Sequence, residues 1–567
     1  MSFNFSNTNE LWSFVLVETL KRLGLTCAVI CPGSRSTPLA VAFALAPDIE
    51  VIPILDERSA AFFALGRAKA THKPVAVVCT SGTAGANFYP AVIEAKESCV
   101  PLLLLTADRP QELRFCHSGQ TIDQVKLYGD YPNWQAELVV PSASISLLTY
   151  LRQTVIHAYE RCIFPQGSAV HLNIPFRDPL APIPDGVDLT DLQSKVTNED
   201  FWCHIQPISL PSYSSGLPPI SRRGIIIAGV AQPTQSEQYC NSIANLARAL
   251  NFPVLAEGLS PVRNHAHLNP YIISTYDAIL RHPHHRVLLA PEVVILIGEM
   301  PTSKELRTWL QYQPRLIIID KTSRNLDSLH LNTTHLRLDI SELTSIPSFP
   351  PNAYLEQWRH LEAKTRAVLD RTLEQESEFE GKAAWLLSQI LPPKTPLFIA
   401  NSMPVRDVEF FWKPNNLGIE IFVNRGANGI DGTLSTALGI AHRNQSSVML
   451  TGDLALLHDT NGFLIRNKLI GHLTIILINN NGGGIFEMLP ISQFEPPFEE
   501  LFATPQDIDF AKLCATYNIE HELITSWNLL KEKLNPLPTK GIRVLELRTN
   551  RKADAKWRKH NLSQFAN

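Results

Sequence analysis

The chain has no C-x-x-C pair, no apolar run of membrane-spanning length, no low-complexity tract, no short tandem repeat and no marked excess of either charge. Its nine cysteines are an odd number, and the closest two, Cys27 and Cys31, lie in an apolar stretch that reads as a strand. Buried reduced thiols are therefore expected, rather than a disulfide framework or a zinc site. The first residues lack a basic segment followed by an apolar run and a small-residue cleavage site; residues 11–24 read instead as an amphipathic helix. With no stretch long enough to span a bilayer, a cytoplasmic location is the expectation. The net charge of −4 and pI near 6.5 argue against electrostatically driven binding to nucleic acid or to a membrane surface. They leave room for a local basic pocket that takes a small anion.

What is present is a long chain of ordinary globular composition. Its 567 residues exceed what one hydrophobic core holds, and 45% hydrophobic with 18% charged residues suits packed domains. Three blocks alternate short β-branched runs with helical patterns, which predicts an α/β fold of three doubly wound parallel-sheet domains. The first, residues 1–185, has strand-like runs CAVIC, VIPIL, VAVVC and PLLLLTA, with helical segments SAAFFALGRAKA and GANFYPAVIEAKE between them. A Pro-rich stretch from Pro179 to Pro219 reads as a linker. The middle domain, residues 186–345, carries β-α-β units in GIIIAGV to FPVLAE and in VVILIG to RLIIID. The last, residues 346–567, opens on a charged helical segment near 355–388 and contains the strand-like runs PLFIA, EIFVN, SVMLTGD and LTIILIN.

The strongest chemical signal is TGDLALLHDTNGFLIRNKLIGHLTIILINNNGGGIF, residues 451–486. One buried strand ends at Gly452-Asp453 and the next at Asn479-Asn480-Asn481-Gly482, with Asp453 and Asn480 27 positions apart. In a β-α-β crossover both carboxyl ends lie at one sheet edge, where ligands bind. A carboxylate and an amide oxygen there are hard ligands. With a backbone carbonyl, a water and two phosphate oxygens they complete an octahedral Mg²⁺ site. Gly452 would let the backbone approach a diphosphate, and the following helix would offer N–H donors. Either turn alone would be an ordinary strand ending. The pair resembles the thiamine-diphosphate enzyme signature, Gly-Asp-Gly followed about thirty residues later by Asn-Asn. Leu454 replaces the third Gly, which is similar to the Gly-Asp-Leu/Ser form of one subfamily. The resemblance implies thiamine diphosphate with Mg²⁺ or Mn²⁺ held by Asp453, Asn480 and the Gly482 carbonyl, and cofactor contacts at Gly452, Leu454 and Ala455.

Such enzymes need a carboxyl group against the far nitrogen of the cofactor's pyrimidine, in a water-poor pocket where a carboxyl keeps its proton more readily. Glu57, in VIPILDERSAAFFALG, stands where a strand gives way to a helix and resembles that activating glutamate. The plainer reading is an Asp-Glu pair complementing a helix N-terminus, and Asp56 is the alternative acid. Because the pyrimidine and diphosphate sites lie on different domains, and in this family on different subunits, a homodimer or homotetramer is implied.

Four arginines sit in Gly/Ser turns after strand-like runs: Arg35 in CPGSRSTPLA, Arg109 in LTADRPQELR, Arg406 in NSMPVRD and Arg425 in NRGANGIDG. A guanidinium fork there is a good carboxylate clamp, although any one of them could instead pair with a local acid. With DER, TSGTAGAN, ADRP, GDL and NNNGGGIF in order, these stretches closely resemble the 2-succinyl-5-enolpyruvyl-6-hydroxy-3-cyclohexene-1-carboxylate synthase family, strongly in the first and third blocks and weakly in the middle. The resemblance implies decarboxylation of 2-oxoglutarate and 1,4-addition of the resulting carbanion to isochorismate, in menaquinone or phylloquinone biosynthesis. It places Ser34, Arg35, Arg109 and Gln120 on the pyrimidine side and Ser402, Arg406 and Arg425 on the diphosphate side. Lys304 would reach in from the middle domain, Ile430 would pack between the cofactor rings, and Ile485 and Phe486 would pack near the thiazolium. Gly119 departs from the Gly-x-Asn-Gln version around Gln120. Adjacent Cys116 and His117 would point apart on a strand, while His458 and Asp459 could approach the cofactor or simply cap and face solvent.

Two other readings stand beside this one. Another thiamine-diphosphate enzyme, an acetohydroxyacid synthase or simple 2-oxoacid decarboxylase, would have less use for four arginine turns. A non-catalytic α/β protein that kept the fold would not need Glu57, Asp453 and Asn480 together.

Overall fold

The computed structural model describes residues 5–203, 205–206, 213–311 and 315–566. It has the expected α/β architecture of three domains, each built on a six-stranded sheet whose strands all run parallel. Among the described residues no helix is long and apolar enough to cross a membrane. By compactness the chain forms two units. One gathers Met1–Leu210 with Asn424–His442 and His458–Leu469; the other holds Pro211–Val423, Arg443–Leu457 and Ile470–Asn567.

In the first unit the strand order is Glu50–Pro53, Cys27–Ile30, Val75–Cys79, Leu102–Asp108, Ala169–Pro175 and Trp134–Glu137. The four central strands are buried at every position, which is why they read as unbroken apolar runs. The sheet reverses direction of build between Cys27–Ile30 and Val75–Cys79, the point where such sheets open a crevice at their carboxyl ends. The helix Glu57–Thr71 starts there. The Asp56 side chain caps it by accepting the Ser59 N–H at 3.0 Å, and His72 closes it at φ 54°. Every residue from Ser59 to Lys69 is buried.

This helix packs on the equally buried helix Thr433–Ala441. A Cβ at Gly66 would lie 2.1 Å from the Thr436 carbonyl oxygen, and one at Gly439 would lie 2.1 Å from that of Phe63. The two backbones touch where only glycine fits. Arg67 spans the same contact and donates to the His442 carbonyl.

The stretch that reads as a linker is only partly one. It contains the helix Thr190–Thr197, and Leu189, Leu192, Val196 and Trp202 join the core around the helix Thr8–Arg22. Four apolar anchors spaced among polar and proline residues are enough to dock it. Residues 204 and 207–212 of that stretch lie outside the described residues.

The second unit holds two sheets. One runs Ile272–Ile273, Val254–Ala256, Gly224–Ala228, Val293–Ile297, Leu316–Ile319 and Thr333–Leu336. The other runs Glu420–Phe422, Pro396–Ile399, Ser447–Gly452, His472–Asn479, Gly541–Arg548 and Glu520–Leu523, and so repeats the strand order of the first unit's sheet. Arg263, fully buried, ties the two sheets' layers together by donating to the carbonyls of Ala256, Ser274, Glu409 and Trp412. The helical segment near 355–388 is two helices, Ala353–Gln375 and Lys382–Ile390. The chain turns inward between them and buries Glu380.

Candidate functional site

In the second unit the strand Ser447–Gly452 lies beside His472–Asn479, with Gly452 paired to Ile478. Asp453 and Asn480 therefore leave the sheet from adjacent carboxyl ends. The Asp453 carboxylate accepts the Gly482 N–H at 2.8 Å and the Leu454 N–H at 2.9 Å. Burial pushes its pKa up to about 6, while these two N–H bonds pull the other way. The Asn480 amide nitrogen donates to Glu380 at 2.9 Å. Its Oδ1 is buried and has no hydrogen-bond partner among the described residues. An orphaned buried acceptor costs about 1–3 kcal/mol. An amide oxygen, a carboxylate and the Gly482 carbonyl form an oxygen donor set of the kind a hard divalent cation takes. That carbonyl already accepts the Gly484 N–H at 2.9 Å, which leaves one lone pair for a ligand. Gly482 itself sits at φ 139°, a region that side chains disfavour.

A Cβ at Gly452 would meet nothing within 4 Å. The protein's own packing does not demand glycine there, and the space is open to an anion. The helix Asp453–Leu457 has only five residues, so the dipole expected at its N-terminus amounts to little more than one turn. Leu454 is half-buried and Ala455 buried. The helix Arg551–Asn561 braces the loop that follows Asn480: Arg551 donates to the Asn481 carbonyl at 3.1 Å and pairs with Glu499, and Lys559 donates to the Glu487 carbonyl at 2.8 Å. Ile485 and Phe486 stand half-buried in the short helical turn Gly484–Met488.

Ser402 follows the strand Pro396–Ile399 at φ 75°, a conformation that costs a non-glycine residue about 1–3 kcal/mol and is typical of functional turns. Its carbonyl accepts from Arg406 at 2.6 Å. Lys304 opens the helix Lys304–Leu310, is exposed, and makes no hydrogen bond or ion pair among the described residues.

In the first unit Glu57 is half-buried at the carboxyl edge of the sheet. Its carboxylate makes no hydrogen bond or ion pair among the described residues. Its charge adds to burial in pushing the thiols of Cys31 and Cys79 up. Asp56, the alternative acid, is committed to its capping bond and to the Asn461 amide at 2.7 Å. Ser34 is exposed. Arg35 is buried, donates to the Phe176 carbonyl at 2.9 Å, and its Nε has no partner among the described residues; burial first, then the nearby Arg109, lowers its pKa. Arg109 donates to the Ser81 hydroxyl. That hydroxyl donates to the Gln120 carbonyl at 3.0 Å, and the Gln120 amide donates to the Ser81 carbonyl at 3.0 Å. Arg35, Arg109 and Gln120 are thus brought together, although the Gln120 amide is occupied by Ser81 despite the departure at Gly119.

Arg425 and Ile430 are half-buried in the loop before the helix Thr433–Ala441. Glu94 holds that loop by accepting the N–H groups of Gly426 and Ala427 at 3.0 and 2.7 Å. Nothing in the sequence around Glu94 marked it, because its partners lie more than three hundred residues away. Asp459, open in the sequence between capping and cofactor contact, is fully buried and accepts the Ser435 N–H and hydroxyl at 2.7 and 3.1 Å. His458 is exposed and its carbonyl accepts from Arg58 at 2.9 Å. Cys116 and His117 are both exposed.

Comparison with known proteins shows the family. Residues 12–127 match the N-terminal TPP-binding domain of thiamine pyrophosphate enzymes, and residues 217–399 match the middle domain of thiamine pyrophosphate enzymes. A protein of Trichormus variabilis named 2-succinyl-5-enolpyruvyl-6-hydroxy-3-cyclohexene-1-carboxylate synthase is 68% identical over 100% of this chain and 99% of its own length. Proteins of the same name from Nostoc sp. and Gloeothece citriformis are 67% and 62% identical, again over 100% of this chain and over 99% and 100% of their own lengths.

Proposed function

Since the chain belongs to the 2-succinyl-5-enolpyruvyl-6-hydroxy-3-cyclohexene-1-carboxylate synthase family of thiamine pyrophosphate enzymes, we propose that it joins a four-carbon unit from 2-oxoglutarate to isochorismate, releasing CO₂, in menaquinone or phylloquinone biosynthesis. Bound thiamine diphosphate supplies the electron sink that makes decarboxylation and carbon–carbon bond formation feasible. The remaining work falls to side chains. Asp453, Asn480 and the Gly482 carbonyl would hold Mg²⁺, or Mn²⁺ in its place, and Gly452, Leu454 and Ala455 would line the diphosphate site. Ile430, Ile485 and Phe486 shape the space around the cofactor rings. Glu57 holds a proton at the pyrimidine nitrogen. Arg35, Arg109, Arg406 and Arg425, with Ser34, Gln120, Ser402 and Lys304, orient the substrate carboxylates, which require several cationic or polar clamps at once.

The observation that carries the site reading is the buried, unpartnered Asn480 Oδ1 at the same sheet edge as Asp453. The same proposal includes a cytoplasmic homodimer or homotetramer and domain limits of 1–185, 186–345 and 346–567; light scattering tests the assembly. The deciding experiment is a two-substrate assay. Purified protein should consume isochorismate and 2-oxoglutarate together only when both thiamine diphosphate and Mg²⁺ are present. Folded protein that consumes neither under those conditions, or that accepts pyruvate as readily as 2-oxoglutarate, defeats the proposal.

A further inference from the structure

The cation site proposed above depends on which end of the Asn480 amide faces it. An amide is nearly symmetric in shape, but one end donates and the other accepts. If the –NH₂ end faced a cation, binding would be repulsive. Something must therefore fix the side chain's orientation, and the chain buries a carboxylate where it does so. Glu380, 2% exposed, accepts the Asn480 amide N–H through Oε2 at 2.9 Å. An ionised carboxylate is acceptor-only, so the –NH₂ end must turn toward it. The Asn480 Oδ1, without a partner among the described residues, then turns away.

Glu380 is in turn held from every side. The Thr549 hydroxyl donates to Oε2 at 3.1 Å. Arg558, 2% exposed, donates to Oε1 at 2.9 Å while also bonding both carboxylate oxygens of Asp407. The Glu380 backbone N–H donates to Asp554 at 3.2 Å. These partners come from the last strand's end and the final helix, a stretch about 170 residues from Glu380 in the chain, and the carboxylate they hold also faces Asn480.

We propose that Glu380 is the positioning residue of the cation site: it sets the orientation of the Asn480 amide and thereby tunes metal affinity without touching the metal. This rests on the reading of Asp453 and Asn480 as metal ligands. Groups one shell outside a metal's ligands commonly change its affinity about 10- to 100-fold when removed.

The test is direct Mn²⁺ binding to the full chain in the presence of thiamine diphosphate, read as loss of the free-Mn²⁺ electron paramagnetic resonance signal. Glu380→Gln can present an N–H to Asn480 and permit the flip, and it should weaken Mn²⁺ binding about 10-fold or more. Glu380→Asp keeps the charge but withdraws the acceptor, and it should weaken binding as well; a purely long-range charge effect would leave it unchanged. In an Asn480→Ala background Glu380→Gln should cost little further, because the residue it positions is gone. Circular dichroism confirms folding of each variant, and either Glu380 variant alone decides the point if the other is unfolded. Wild-type affinity in both Glu380 variants, or an equal loss with and without Asn480, overturns the inference. The parent reading fails separately, if wild-type protein binds no Mn²⁺ or if Asp453→Asn binds it as tightly.

Discussion

Asn461 donates its side-chain amide to Asp56 at 2.7 Å, so the acid next to Glu57 has both a cap and a distant amide to satisfy. The division of labour between neighbouring carboxylates follows from this. Asp56 holds the helix start in place, and Glu57 stands one residue further on with its carboxylate uncommitted.

Glu57→Gln should therefore fold and bind thiamine diphosphate close to normally while losing turnover by about 10²- to 10⁴-fold, the usual worth of a positioned proton-transfer group. Calorimetric titration of the cofactor beside steady-state kcat measures both. Full activity in the variant would remove the carboxylate from the mechanism.

Gly66→Ala should destabilise the protein by about 1–3 kcal/mol or more, because the new methyl would meet the backbone oxygen of Thr436 and not a side chain that can swing aside. A urea midpoint shift measures it. An unchanged midpoint would mean that the two helices separate at no cost.

Arg558→Met leaves Asp407 and Glu380 buried without their cation. Breaking one side of a buried charged network typically costs about 3–5 kcal/mol. Burial already pushes Asp407 up to about 7 against the pull of Arg558. Asp407 relies on Arg558 to carry its charge above that pKa, so the loss should be larger at pH 8 than at pH 6. Thermal unfolding at the two pH values is the check.

Asp459 gives a signed pH dependence. Burial raises its pKa to about 6, above the ordinary carboxylate value. The folded state then binds more protons than the unfolded one between about pH 4 and 6, so this group's contribution to stability falls as pH rises through that window. Asp459→Asn cannot ionise. Whatever the variant loses at its Ser435 contacts, its stability relative to wild type should improve from pH 4.5 to pH 7.5 by about 2 kcal/mol. Denaturant curves at both pH values test this, and a constant difference would refute it.

Much of this was legible in the residues alone, for physical reasons. Strands such as Leu102–Asp108 and His472–Asn479 are covered on both faces, so burial leaves an uninterrupted apolar signature. The edge strands Trp134–Glu137 and Glu520–Leu523 are half-exposed, carry mixed polarity and pass unnoticed. Asp453 and Asn480 were visible because both sit in turns directly after readable strands. Glu380 and Arg558 were not, since each looks like an ordinary charge in a helical stretch. Their meaning appears only when positions 380, 480 and 558 meet. Glu94 is the same case in the first unit.

The interleaving of chain segments has a consequence for biosynthesis. The face of Glu57–Thr71 that carries Phe63 and Gly66 is completed by residues 433–441, and the unit they share gains its last piece at residue 469. A nascent chain leaving the ribosome must hold that face uncovered while more than three hundred and fifty intervening residues are made. A fragment ending before residue 424 would keep it uncovered permanently and should be prone to aggregate or to require a chaperone.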